Sequence, residues 1–324
     1  MKKIVFSLLM LVPFGLVSCF SGASESSTEE IETQKMQQQV DSLYKKMSQA
    51  ERVAQLYGIR SSEVVENGKL SLQKCREKIP NGIGHVCQYA CALDLGPNEL
   101  RDFVRDSQNY LINETPLGVP AIFYEEAIIG LAAKGTTVYP QQLGVACSWN
   151  PELATVNTEQ TAEVMRSVGA TLALSPMVDL IRTAYWPRIE ESYGEDGYLS
   201  PAMGVAFIEG LQKNGLKDGV AACTKHFWGY GGGSSLTWKE IFEEVLMLHE
   251  AMIRLADCKV LMTSYGRFRS EQAVSSDTLL NKILRGYLEF DGLVVGDYGA
   301  VEHSSQKGNP EILKQRAIEG SCSR

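Results

Sequence analysis

Residues 290–301 carry the clearest structural signal in this chain and read Phe290-Asp291-Gly292-Leu293-Val294-Val295-Gly296-Asp297-Tyr298-Gly299-Ala300-Val301. The apolar run Leu293-Val294-Val295 predicts a short buried strand bounded by two glycines. A carboxylate, Asp297, follows that strand directly. Because ligands of parallel α/β folds bind at the carboxyl ends of the strands, Asp297 is a candidate for chemistry. The alternative is that Asp297 only caps the helix that follows it.

The same strand-then-helix pattern recurs through the chain that precedes this stretch. It predicts strands at residues 119–124, 144–148, 170–178, 219–223 and 259–263, and helices at residues 100–113, 151–168, 201–213, 237–256 and 277–288. This alternation indicates βαβ units around a parallel sheet. No pattern organises residues 61–98.

Polar side chains stand at the predicted carboxyl ends of the strands: Glu126, Asp179, Lys225, His226, Tyr265 and Asp297. A doubly wound sheet gathers its site at one switch point, whereas a (β/α)8 barrel gathers residues from many strands around one mouth. No Gly-x-Gly-x-x-Gly follows an early strand, and the run Gly231-Gly232-Gly233 has no P-loop lysine. The sequence therefore predicts an α/β fold of the TIM-like (β/α)8 barrel type.

Composition narrows the class of protein further. The 324 residues are 44% hydrophobic and 22% charged, as in globular proteins, and the net charge of -8 argues against nucleic acid as a partner. Cysteines other than Cys19 are irregularly spaced and odd in number, which is a poor disulfide framework. The pair Cys87-x-x-x-Cys91 has no second pair with ligand spacing, so we predict no metal.

The N-terminus has the pattern of an export signal. A basic Lys2-Lys3 precedes an apolar stretch at residues 4–17, which predicts a secretory signal peptide. The stretch ends in Leu16-Val17-Ser18-Cys19, which resembles the bacterial lipoprotein cleavage box and predicts lipidation of Cys19; the alternative is an ordinary signal peptide. We predict a lipoprotein signal at residues 1–19, a flexible tether at 20–40 and the barrel at 41–324. The protein would be periplasmic or at the cell surface, touching the membrane only through the lipid.

Carboxylates, a lysine, a histidine and tyrosines around one mouth suit a ligand with many hydroxyl groups. Each sugar hydroxyl both donates and accepts, and charged partners make the stronger hydrogen bonds. Retaining glycoside hydrolysis uses one carboxylate as nucleophile and a second group as acid and base, roughly 5 Å apart. Asp297 is the candidate nucleophile.

Four segments occur in an order that points to a known family. They are Pro120-Ala121-Ile122-Phe123-Tyr124-Glu125-Glu126-Ala127, Trp186-Pro187-Arg188-Ile189-Glu190-Glu191-Ser192-Tyr193-Gly194-Glu195-Asp196, Lys225-His226-Phe227, and Val295-Gly296-Asp297-Tyr298-Gly299-Ala300. Together they resemble the N-terminal barrel domain of glycoside hydrolase family 3, the β-glucosidase and β-xylosidase group. The resemblance runs from about Asp41 to the C-terminus.

This resemblance implies a role for each matching residue. Asp297 would attack the anomeric carbon, with Tyr265 near it and Tyr298 flanking the pocket with its ring. The hydroxyls of the terminal sugar would be held by Glu126, Arg188, Lys225 and His226. The substrate would be an oligosaccharide or an aryl or alkyl β-glycoside, and no cofactor is implied. We interpret Asp179 and Arg182 as structural.

The chain also departs from the family pattern. Ile129 stands where a histidine is common, residues 183–187 lack an acid and an arginine, and residues 266–269 replace an Asn-containing loop. Family members that place the acid/base on the barrel use an Asp/His pair in the loop after Lys-His-Phe, and residues 229–239 contain neither type. The sequence stops at about the point where the final strand is expected, so we expect a barrel that lacks this strand and the second domain.

Two other functions remain open on the sequence. The chain could be a non-catalytic sugar-binding module or an inactive remnant of such an enzyme. It could also be an unrelated barrel of the aldolase type, with Lys225 as a Schiff-base nucleophile.

Overall fold

A computed structural model of the protein describes residues 22–213, 215–231 and 236–301. Its contacts divide the chain into two units, with the boundary between Arg52 and Val53. The predicted signal peptide and Cys19 lie outside the described residues. None of the helices in the described ranges is both long and apolar enough to cross a membrane.

The first unit contains helix α1 (Gly22–Lys46) and most of α2 (Gln49–Ala54). The sequence pattern predicts a flexible tether at residues 20–40, whereas residues 22–40 belong to α1. Glu, Gln, Met and Lys in this segment are good helix formers, which accounts for the helix. Its described side chains up to residue 40 are exposed, because few of them are apolar.

In its described residues, the second unit is built on one parallel sheet of seven strands that follow one another in chain order. They are β1 (Gly58–Arg60), β2 (His85–Cys87), β3 (Ile122–Glu125), β4 (Leu172–Ala173), β5 (Ala221–Phe227), β6 (Val260–Thr263) and β7 (Leu293–Gly296). Every neighbouring pair is parallel, for example Val86 with Phe123 and Val294 with Leu261. Strands that lie in the sheet in the same order as in the chain are typical of a barrel, since the strand order of a doubly wound sheet reverses at a switch point.

The sheet curls, as its interior packing shows. Tyr298, just after β7, packs on the same apolar cluster as Cys87 of β2 and Tyr124 of β3. Within the described residues, β1 and β7 are the two ends of the sheet. The described residues therefore form an incomplete TIM-like (β/α)8 barrel, and the predicted fold class is confirmed.

Helices cover the outside of the sheet. They are α3 (Leu72–Lys78), α4 (Tyr89–Ala92), α5 (Pro97–Glu114), α6 (Gln142–Ala146), α7 (Pro151–Ser167), α8 (Leu199–Gln212), α9 (Trp238–Glu240), a π-helix (Ile241–Leu246), α10 (Met247–Arg254) and a second π-helix (Thr278–Tyr287). Two small antiparallel hairpins pair Val65–Glu66 with Lys69–Leu70 and Arg267–Phe268 with Glu271–Gln272. A large apolar cluster fills the space between the sheet and α5, α7 and α8.

Most predicted elements are confirmed, with two exceptions. The prediction of a strand at residues 144–148 is wrong, because this segment belongs mainly to α6. A short apolar run shows no periodicity, so the sequence pattern does not distinguish a strand from a helix there. The strand predicted at 170–178 shrinks to Leu172–Ala173, with one isolated bridge from Met177 to Lys225. Residues 61–98, which no sequence pattern organised, contain β2, α3 and α4.

Helices α7 and α8 approach one another closely at Gly210. A Cβ atom at this position would lie 2.2 Å from Thr158 Oγ1 and 2.4 Å from the carbonyl oxygen of Thr155. Nearby, the Thr155 hydroxyl donates to the carbonyl of Ala206 across the same pair of helices. The absence of a side chain at Gly210 is therefore what allows this packing.

Candidate active site

Strand β5 carries two buried polar side chains, Lys225 and His226, to the mouth of the barrel. Lys225 Nζ donates to Glu126 Oε2 at 2.6 Å, which joins the end of β5 to the residue that follows β3. The Lys225 side chain is 3% exposed and that of Glu126 is 38% exposed. Glu126 therefore offers a solvent-facing carboxylate that the buried Lys225 holds from behind.

His226 lies at the centre of the site. Its Nδ1 is 2.7 Å from Asp179 Oδ2, and the same oxygen accepts the backbone N–H of His226 at 3.1 Å. On the opposite side of the ring, Nε2 is 3.3 Å from Arg188 Nη1 and 3.5 Å from Asp297 Oδ2. His226 thus contacts three side chains from two other parts of the chain, the loop after β4 and the residue after β7.

Asp297 follows β7 and has a side chain that is 9% exposed. Its Oδ1 accepts the backbone N–H of Tyr298 at 2.7 Å, a local contact that fixes the carboxylate. The second oxygen, Oδ2, is the one that faces His226. One oxygen of this carboxylate thus bonds to the residue directly after it, and the other takes part in the site.

An aromatic wall lines one side of His226. Tyr230 has its ring centre 4.9 Å from that of His226, 5.8 Å from that of Trp186 and 6.0 Å from that of Tyr265. The Tyr265 hydroxyl donates to the carbonyl of Tyr298 at 2.7 Å and also hydrogen-bonds with Asp297. Burial raises the pKa of Tyr265 well above its usual value, and the charge of the nearby Asp297 carboxylate raises it further.

Tyr230 is the residue that the sequence reasoning did not single out. Its ring also lies under the Arg188 guanidinium, whose central carbon is 5.8 Å from the ring centre. The available signal was an aromatic residue four positions after His226, in the loop that leaves the end of β5. This position can be assigned to the site only from the structure, in which the loop folds back over the histidine.

Arg188 reaches the site from the loop after β4. It makes two hydrogen bonds to Glu191, from Nε to Oε1 at 2.8 Å and from Nη2 to Oε2 at 2.6 Å. Burial alone would raise the pKa of Glu191, but the hydrogen bonds and charge of Arg188 outweigh it and hold this pKa below its usual value. Glu191 therefore braces Arg188 as an ionised partner.

Tyr298 is placed differently from the other predicted residues. Its hydroxyl is fully buried in the barrel interior, beside the Cys87 thiol and the Tyr124 hydroxyl, and burial raises its pKa strongly. The backbone of Tyr298, by contrast, stays at the mouth through the bond from Tyr265. The ring packs on the interior apolar cluster, with part of the residue still exposed.

Glu125 and Glu126 are neighbours in sequence but point in opposite directions, as successive residues of a strand do. Glu125 is buried and accepts the backbone N–H of Ala90 at 2.8 Å. Burial raises the pKa of Glu125 to about 7, although the N–H groups of Ala90 and Tyr89 oppose the shift. Of the two acids, Glu126 is the one exposed at the mouth.

Asp179 and Arg182, interpreted as structural, hold loops together. Asp179 Oδ1 accepts the N–H of Tyr230 at 3.3 Å, and Arg182 donates to Glu240 at 2.9 Å and to Glu244. These bonds join the loop after β4 to the loop and helices after β5. In the part of the chain that the structure describes, no group of three or more His, Cys, Asp or Glu side chains could hold a metal ion.

This site and fold define a class of protein: a TIM-like barrel with acidic and basic side chains gathered at the carboxyl ends of its strands. The model of the Glycosyl hydrolase family 3 N terminal domain matches residues 50–323, and the chain belongs to this family.

Named relatives agree with that assignment. A putative beta-xylosidase from Formosa agariphila is 33% identical in an alignment of 313 residues that covers 92% of this chain and 41% of the relative. The structure of a beta-glucosidase from Listeria innocua in complex with isofagomine is 27% identical, with a TM-score of 0.74, over 88% of this chain and 40% of that chain. A β-glucosidase from Erythrobacter marinus is 30% identical, with a TM-score of 0.77, over 86% and 38%. The chain spans about two fifths of the length of these relatives.

Proposed function

We propose that this chain forms the sugar-binding and nucleophilic part of a retaining β-glycosidase that hydrolyses terminal β-D-glycosidic bonds. The observation that carries the proposal is the position of Asp297, with one oxygen held by a backbone N–H and the other 3.5 Å from His226. A carboxylate fixed in this way at the mouth of a barrel is placed to attack a bound sugar. The similarity to β-glucosidases and β-xylosidases supports the same reaction class.

In the proposed reaction, Asp297 bonds to the anomeric carbon as the bond from that carbon to the leaving oxygen breaks. The leaving oxygen keeps the bonding pair and takes a proton from a general acid or from solvent. Water then attacks the anomeric carbon, gives up a proton, and the bond to Asp297 breaks, which releases the sugar and restores the carboxylate. Glu126, Lys225 and Arg188 hold the hydroxyls of the terminal sugar through charge-assisted hydrogen bonds. Lys225 acts here as a donor already paired with Glu126, which favours a binding role over the free amine that a Schiff base requires.

The test uses a substrate that needs no general acid. Treatment with 2,4-dinitrophenyl 2-deoxy-2-fluoro-β-D-glucoside should release one equivalent of dinitrophenolate and add one fluorosugar to the peptide that contains Asp297. The xylose analogue, run in parallel, distinguishes the two sugars. Asp297→Asn is the matched control and should release nothing. If folded wild-type protein takes up neither label, Asp297 is not a nucleophile in this chain.

A second candidate, sugar binding without turnover, is favoured by one observation. The loop at residues 229–239 contains neither the Asp nor the His that barrel-borne acid/base pairs use. Calorimetric titration with laminaribiose, which a mutant of the Listeria innocua β-glucosidase holds in its structure, separates the candidates. Binding by wild type and by Asp297→Asn, with no covalent labelling of either, supports the binding module.

We also propose export as a lipoprotein anchored through Cys19. The support is the order of the first 19 residues: two lysines, an apolar run and the segment Leu16-Val17-Ser18-Cys19. Metabolic labelling with a radioactive fatty acid in a bacterial host tests this. Wild type should incorporate the label and Cys19→Ser should not; an equal signal from both would reject lipidation at this residue.

A further inference from the structure

We propose that Asp179 is a positioning residue that keeps the proton of His226 on Nδ1, so that Nε2 carries a lone pair and leaves Asp297 free to react. The catalytic consequence rests on the function proposed above, whereas the position of the proton can be measured without it.

Two neighbours of His226 select the same form of its ring. A carboxylate only accepts hydrogen bonds, so Asp179 Oδ2, 2.7 Å from Nδ1, requires a proton on Nδ1. A guanidinium only donates, so Arg188 Nη1, 3.3 Å from Nε2, requires a lone pair on Nε2. One neutral tautomer satisfies both contacts, and the other satisfies neither.

Further contacts hold Asp179 itself in place. Its Oδ2 accepts the backbone N–H of His226 at 3.1 Å, and its Oδ1 accepts that of Tyr230 at 3.3 Å. Asp179 and His226 are both buried. Because the carboxylate is fixed by two backbone groups, it cannot turn away from the ring, and the tautomer of the ring must match it.

The rest of the environment of His226 is accounted for. The ring of Tyr230 covers one face, His249 of α10 hydrogen-bonds to the backbone of His226, and Lys225 points to Glu126. Two charged neighbours remain: Asp297, 3.5 Å from Nε2, and Glu191, whose carboxylate interacts with the ring through its charge.

The tautomer determines what Asp297 can do. With a lone pair on Nε2, Asp297 Oδ2 receives no hydrogen bond from the ring and keeps its electron pairs for the anomeric carbon. With a proton on Nε2, the ring would donate to Asp297 and would repel the N–H of Arg188. The first form therefore leaves the nucleophile reactive and keeps Arg188 oriented, and Asp179 is what selects it.

Nitrogen NMR on protein labelled with ¹⁵N-histidine tests the proposal directly. The chain has four histidines, so His226→Gln assigns the signal. We expect the Nδ1–H form in wild type and a change to the Nε2–H form in Asp179→Asn, because the amide can donate to Nδ1. Asp196→Asn, which changes a carboxylate that caps α8, is the matched control and should leave the signal unaltered. An Nε2–H signal in wild type, or an unchanged signal in Asp179→Asn, overturns the proposal.

Labelling kinetics give the second readout. With the fluorosugar reagent, Asp179→Asn should lower the maximal labelling rate at least about tenfold, the effect of losing one charge-assisted hydrogen bond, with little change in the half-saturating concentration. A purely structural role would lower the amount of folded protein instead, which a thermal melt measures. If wild type does not label at all, the proposed function fails, while the NMR result still decides the tautomer.

Discussion

His249 makes the stability of this protein sensitive to acid in a way that can be calculated. The residue lies on α10, is 1% exposed, and packs edge-on against Phe227 with ring centres 5.0 Å apart. Burial lowers the pKa of His249 to about 4 from an ordinary value of 6.5; the Asp179 carboxylate opposes this only in part. The ring is therefore neutral in the folded protein over most of the acid range.

The direction of the effect follows from the two pKa values. Below pH 6.5 the unfolded chain binds a proton at His249 and the folded chain does not, so acid favours unfolding. The stability that neutral His249 provides is complete above pH 6.5 and is lost as the pH falls towards 4. The loss is about 2 kcal/mol at pH 5 and on the order of 3 kcal/mol in full.

His249→Phe removes the titration and keeps a buried ring. The variant also loses the hydrogen bond to the backbone of His226, which should lower its free energy of unfolding by about 1–3 kcal/mol at every pH. The informative quantity is therefore the slope of the free energy of unfolding against pH. Between pH 7.5 and pH 5, the free energy of unfolding should fall by about 2 kcal/mol less in His249→Phe than in wild type.

Urea denaturation at pH 7.5, 6 and 5 measures these slopes. Phe227→Leu is the matched control, because it perturbs the same packing without removing a titratable group, and its pH dependence should parallel that of wild type. Contributions from other residues, including His85 with a pKa also lowered to about 4 by burial, cancel in the comparison. Parallel curves for wild type and His249→Phe would refute the reasoning.

Three further changes have predictable outcomes in the same denaturation assay. Burial raises the pKa of Glu125 to about 7, so its stabilising contribution is complete below pH 4.5 and is lost as the pH rises through 7. Glu125→Gln should therefore have a free energy of unfolding about 2 kcal/mol above that of wild type at pH 8, and little difference at pH 4.5. An equal gain at both pH values would be inconsistent with a buried acid. Gly210→Ala should lower the free energy of unfolding by about 1–3 kcal/mol, because the new Cβ meets backbone on α7. Gly204→Ala should lower it less, because its Cβ meets chiefly the flexible Met252 side chain. The opposite order would contradict the packing. Asn150→Ala removes the cap of α7 and should lower the free energy of unfolding by about 1 kcal/mol. Asn150→Asp can still cap the helix and should lower it little. Equal losses in the two variants would argue against the cap.

The candidate site separates what local sequence predicts from what it does not. Strand-ending carboxylates and the Lys225-His226 pair could be found because a buried strand followed by a polar residue is a local pattern. The neighbours of His226 could not be found in this way: Asp179 lies 47 residues before it and Arg188 lies 38 residues before it. Only folding brings these residues to opposite sides of one imidazole ring.

The sequence by itself determined the alternation of strands and helices and the barrel class, because hydrophobic periodicity acts over a few residues. Tertiary structure decided the rest. Strands of three residues, such as β1 and β2, are too short to show a period, so only pairing with neighbours defines them. The inward turn of the Tyr298 hydroxyl, the overlap of Tyr230 with His226 and the tautomer-selecting contacts of His226 depend on side chains from distant segments, and no local pattern encodes them.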